Sequence, residues 1–118
     1  MKLFCHHVYE FHKGLRDLVL HTANKEEIPT IEKHLHKQNI SYVIIKNKHT
    51  KYNVFFGYPK CIDIIKSFGD KKLKEYTTEE DFILGIMLGY GRRNEYERYL
   101  QRKHHVPEHI NDIAEKID

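Results

Sequence analysis

Cysteine is scarce in this 118-residue sequence, and so are the usual signatures of enzymes and membrane proteins. Two cysteines, Cys5 and Cys61, with no apolar signal sequence, predict free thiols in a reducing cytoplasm and no disulfide. The longest nearly uninterrupted apolar run, residues 82–90, falls far short of the roughly 18 residues that mark a bilayer span, so no membrane role is expected. There is no glycine-rich phosphate loop, no nucleophile elbow and no tandem CxxC, which leaves no motif for a cofactor and leans the reading away from an enzyme. No internal repeat or low-complexity linker divides the chain. Residues 1–106 therefore read as one domain and residues 107–118 as an acidic tail.

What the chain has in quantity is charge. Its 20 Lys and Arg against 17 Asp and Glu give a net +3. The tail holds Glu108, Asp112, Glu115 and Asp118 against Lys116, so the first 107 residues carry +6. A basic body favours an acidic partner, whether nucleic acid, anionic membrane or acidic protein, although solubility alone also accounts for such a balance. A mean hydropathy of −0.68 implies that apolar residues are gathered into a few segments.

The densest of these is EEDFILGIMLGYG, residues 79–91. Placed on a helix, Phe82, Ile83, Ile86, Met87 and their neighbours fan over roughly 240°, which predicts a helix buried on nearly every side. Gly85 and Gly89 share its remaining face and would let another backbone approach, in the core or across a dimer. Thr77 or Thr78, followed by Glu80 or Asp81, suits its N-cap, and Gly89 or Gly91 its end.

Elsewhere, Phe4, Val8 and Phe11 ahead of Gly14 predict a first helix. Residues 15–22 alternate as a strand, with Leu18 and Leu20 facing one way and Val19 and His21 the other. Asn24 and Glu27 resemble a capping box, yet Pro29 places the regular helix nearer Ile28. ISYVIIK (40–46) and YNVFFG (52–57) read as an antiparallel hairpin joined by a lysine-rich loop, residues 47–51. Pro59 and Gly69 bracket another helix, with Cys61, Ile65 and Phe68 inward, and Asn94 with Glu97 caps a last helix running to about Lys103. The order predicts an α+β fold with a small three-stranded sheet. A split β-α-β plus hairpin, ferredoxin-like without its last strand, would pack with about five helices. An unpaired edge on the first strand and the apolar central helix both point to a homodimer.

Ten histidines raise the question of metal, but none pair at i, i+3 or i, i+4 within a predicted helix. Cys5, His6, His7 and Glu10 form the densest group of candidate ligands, and Cys5 beside two histidines could be imagined as a thiol nucleophile. Cys61, on an apolar stripe, reads as core. The strongest surface signal is cationic: Arg92, Arg93, Arg98, Arg102 and Lys103 surround the last helix, with tyrosines interleaved. The helix dipole accounts for cations at the C-terminal end but not for Arg92 and Arg93, which call for an outside anion or pairing with Glu95, Glu97 or the tail.

In combination, HHVYEFHKGLRDLVLHT (6–22), ISYVIIK (40–46), NVFFGYPKC (53–61), EEDFILGIMLGYG (79–91) and ERYL (97–100) resemble a small bacterial family catalogued as a domain of unknown function, number twenty-twenty-three. The resemblance spans about residues 1–103. It implies an α+β fold of three strands and five helices that dimerises, has no assigned activity and is often encoded beside flavodoxin. Many relatives carry Cys where this chain has Tyr96, which weakens a two-cysteine site with Cys61. Flavodoxins are acidic, so the leading expectation is a non-enzymatic binding protein that docks such a redox partner through its cations. The alternatives are an RNA-binding module using the same helix with Phe55 or Tyr96, and a metal or thiol protein centred on Cys5, His6 and His7.

Overall fold

The strand Lys51–Gly57 (β3) carries Val54, Phe55 and Phe56 in succession, all three with no exposed surface. Neighbouring strand residues face opposite sides, so such a strand needs apolar cover on both. The computed structural model, which describes residues 1–104, places β3 at the centre of a three-stranded sheet. Its neighbours are Leu18–Asn24 (β1) and Ser41–Lys48 (β2), each antiparallel to β3. Val19, Phe56 and Tyr42 stand side by side on one face, and Leu20, Phe55 and Val43 on the other. The order β1-β3-β2 is the split β-α-β expected from the sequence, and the fold class is α+β.

On the Phe56 face lie Lys2–His12 (α1), through Phe4 and Val8, and the crossover helix Ile28–Lys37 (α2), through Ile31 and Leu35. On the Phe55 face lie Pro59–Ser67 (α3), through Cys61, Ile62 and Ile65, and Thr78–Met87 (α4), through Leu84. A fifth helix, Arg92–His104 (α5), packs on α4, where Phe82 meets the rings of Tyr96 and Tyr99. Full burial of each large apolar side chain contributes about 1.5–3 kcal/mol.

Local chemistry sets the helix ends. Gly14, at φ +76°, closes α1 as its N–H donates to the Phe11 carbonyl and that of Leu15 to Glu10. The Glu27 carboxylate accepts from the Asn24 N–H at 2.9 Å, but this box caps a 3-10 turn, Lys25–Glu27, ahead of α2, whose first turn holds Pro29. At α4 the box is reciprocal: Thr77 N–H donates to Glu80 at 2.9 Å and Glu80 N–H to Thr77 Oγ1 at 3.1 Å.

Three expectations need correction. The hairpin loop is only His49 and Thr50, because a bulge between Lys46 and Lys48 lets the strands pair almost to the turn. Helix α5 opens at Arg92, directly after Gly91, two residues before the expected cap. Within this chain α4 is not enclosed: only Leu84 and Gly85 are buried, while Ile83 and Ile86 are each 38% exposed. Three strands about 4.8 Å apart make too narrow a sheet to wrap a helix already shared with α3 and α5. The expected tail, residues 107–118, lies outside the described residues.

Gly57 ends β3 at φ +146°, where a Cβ would stand 2.2 Å from the Asp17 carbonyl oxygen. That carbonyl accepts from Tyr58 N–H at 2.8 Å and fixes the entry to α3. Gly57→Ala is expected to lower stability by on the order of 2–3 kcal/mol, measured by urea unfolding.

Candidate functional site

Helices α4 and α5 form an antiparallel hairpin in which the C-terminal cations of one lie beside the N-terminal acids of the other. Glu79, Glu80 and Asp81 open α4, where the helix dipole favours negative charge. Asp81 receives a two-pronged bond from Arg98, Nε to Oδ2 at 2.8 Å and the terminal nitrogen to Oδ1 at 3.2 Å, and Arg102 stands 2.9 Å from Oδ2. Glu79 accepts from Tyr99 Oη at 3.2 Å and from Lys103 Nζ. Burial pushes the Asp81 carboxyl up, but Arg98 and Arg102 together outweigh it and hold it below the usual range. The Lys103 hydrogen bond likewise lowers Glu79, and that of Asp81 raises Arg98.

The five cations expected to form one docking surface thus divide into two kinds. Arg98, Arg102 and Lys103 tie α5 to α4, with Arg98 and Lys103 still exposed. Arg92 and Arg93 are exposed in the first turn of α5 and have no acidic partner among the described residues. Beside them Tyr96 is exposed, as is Leu100 one turn further on. Of the α4 residues, Phe82 is half-buried under the tyrosines, Met87 is half-buried, and Ile83 and Ile86 face solvent. Gly89, at φ +84°, is a helix cap and no packing contact. Its N–H donates to Ile86 and that of Tyr90 to Gly85. Gly85 admits the side chain of Glu95, whose Oε1 lies 2.1 Å from where a Cβ would be, in place of the expected backbone. Glu95 itself is only 5% exposed. The sequence offered it only as an ion-pair partner for Arg92 and Arg93, and the one signal for its burial is a glycine inside an otherwise apolar helix.

With this geometry in view, a family model described as "Protein of unknown function (DUF2023)" matches residues 2–102. The chain belongs to the DUF2023 family. No curated protein matches it. Among the described residues, no helix is long and apolar enough to cross a membrane.

The N-terminal cluster of this DUF2023 chain has a different character. Glu10 lies 3.5 Å from His6 Nε2, 3.7 Å from His7 Nδ1 and 3.4 Å from Arg16. It is already shared among three cationic or polar groups, and among the described residues no three of His, Cys, Asp and Glu are grouped to hold a metal ion. Cys5 is exposed. Cys61 is buried, and burial followed by the Asp17 charge raises its thiol pKa, the opposite of nucleophile activation. Phe55, an expected base-stacking residue, is wholly buried in β3.

His7 and His21 meet edge to face at 5.4 Å between α1 and β1, and Phe4 packs on His21 at the same distance. Burial lowers the pKa of each imidazole; Arg16 lowers His7 further, with Glu10 opposing, and His7 lowers His21 further. Below the unfolded pKa of about 6.5, the unfolded chain binds protons that the native one refuses. Stability should therefore be level above that pH and fall below it, by up to about 1.4 kcal/mol per pH unit for each proton. Urea unfolding across this range checks the sign, and His21→Gln should flatten part of the slope. At the hairpin, Asp81→Asn is expected to cost about 1–2 kcal/mol by the same assay, and Glu97→Gln on the exposed side less than about 0.5 kcal/mol.

Proposed function

We propose that this DUF2023 protein is a non-enzymatic cytoplasmic binding protein whose working surface is the outer face of the α4–α5 hairpin. The observation that carries this reading is the pair Arg92 and Arg93. They sit at the helix end where the dipole disfavours positive charge, without an internal acid among the described residues. Cations held so are suited to an anion on another molecule. Tyr96 next to them supplies an amphipathic ring of the kind enriched in protein interfaces. The partner is an acidic protein, and the resemblance of the sequence makes flavodoxin the first to try. Such redox encounters bury little area and rely on charge for speed, so a modest cationic patch is enough. Arg98, Arg102 and Lys103 add to the field of that patch while holding the hairpin together. The exposed Ile83 and Ile86 on α4 provide a second contact, for which a second copy of the chain is the proposed occupant.

Titration of the labelled protein with flavodoxin at low and moderate salt tests the reading. Binding is expected to weaken with salt and to lose roughly tenfold or more on charge reversal of Arg92 and Arg93 to Glu. No binding below about 100 μM would remove the proposal. Preferential binding of single-stranded RNA in a parallel titration would replace it with the nucleic-acid reading. Sedimentation is expected to show a dimer that Ile83→Glu dissociates, whereas a sole 14.2 kDa species in the native protein would refute the second-copy contact.

A further inference from the structure

Behind the hairpin, α4 and α5 do not close fully against β1 and the 3-10 turn Leu73–Glu75. They leave a half-open cavity of about 460 Å3, within the roughly 300–1,000 Å3 of small-molecule sites. Leu20, Leu73, Leu84 and Leu88 give it an apolar lining. Into this lining α5 brings the carboxylate of Glu95, which is 5% exposed and accepts no hydrogen bond from any described residue. The nearby guanidinium of Arg98 acts on Glu95 through its charge but places its hydrogen bonds on Asp81, at 2.8 and 3.2 Å. Gly85 makes the arrangement possible, because a Cβ there would overlap Glu95 Oε1 at 2.1 Å. The hydroxyl of Tyr76, on the wall of the same cavity, is also buried with no hydrogen-bond partner among the described residues.

A carboxylate held against an apolar lining without a direct hydrogen-bond donor is disfavoured unless a ligand supplies one. We propose that this cavity binds an organic ammonium ion, with Glu95 as the anionic anchor and the leucine lining taking the ligand's apolar body. The other ligand classes fit less well. A neutral apolar guest brings Glu95 no hydrogen-bond donor, an anion is repelled by it, and a single carboxylate is too small a donor set for a metal ion. Lys74, Asp81 and Arg98 also line the cavity, and with Asp81 taken up by Arg98 no second free carboxylate in the described lining awaits another positive charge, so the ligand is a monoamine or a zwitterionic amino acid and not a polyamine. Arg98 borders both this site and the outer face of the hairpin, but neither proposal depends on the other.

The test is a titration of the isotope-labelled full chain with n-pentylamine, read by backbone amide shifts. Saturable shifts are expected at Gly85, Tyr90 and Glu95. They should weaken roughly tenfold or more in Glu95→Gln, which keeps the shape and removes the charge. Gly85→Ala should abolish them without loss of folding, since the terminal atoms of Glu95 can swing outward and Ala is the better helix former. L-Norleucine in a parallel titration separates the two sources: if it binds more tightly than the amine, the ligand is an amino acid, and if less tightly, a simple amine. Either ranking upholds the ammonium anchor. Equal binding of n-pentanol, unchanged binding in Glu95→Gln, or no saturable shift up to about 50 mM, the weak limit for a ligand of six heavy atoms, would each overturn the proposal.

Discussion

Phe55 and Phe56 are adjacent in the central strand, point to opposite faces of the sheet, and are both completely removed from water. A strand with that demand cannot sit at an edge or in a sheet covered on one side. It therefore takes the middle position, and helices must be found for both faces: α1 and α2 for Phe56, α3 and α4 for Phe55. The split β-α-β follows, since β1 and β2 can flank β3 only if the connection through α2 crosses over it.

The narrowness of the sheet then shapes the rest. Helix α4 has more apolar surface than three strands and a neighbouring helix can cover, and α5 is laid against it as a further layer. What holds α5 there is partly ring packing on Phe82 and partly the pairing of its last cations with the acids that open α4. Those acids serve twice, complementing the helix dipole and anchoring the facing helix. The arrangement separates the cations of α5 into structural and free ones, leaves Ile83 and Ile86 on the outside, and traps a carboxylate beside a cavity on the inside.

Much of the fold is legible one segment at a time. Gly14, the Pro59 and Gly69 brackets and the Thr77 box mark helix ends through interactions that reach only three or four residues. The alternation of Leu18, Val19, Leu20 and His21 assigns the two faces of β1 correctly. The hairpin bulge and the early start of α5 are less visible, because pairing with β3 and the turn at Gly91 outweigh local preference. The environment of α4 is not visible at all from its own residues. An apolar circumference shows that a helix seeks cover, but the cover depends on how many strands and helices fit around it.

The amino-acid sequence by itself determined the order and kind of the elements, their caps, and the need of β3 for burial on both sides, because periodicity and capping act within a few residues along the chain. Only the tertiary structure decided which charges are spent on one another. Asp81 and Arg98 are seventeen residues apart, and Glu95 finds its place because Gly85 lacks a side chain ten positions earlier. Coulombic attraction and desolvation depend on distance and surroundings in space, and those exist only once the hairpin has folded onto the sheet.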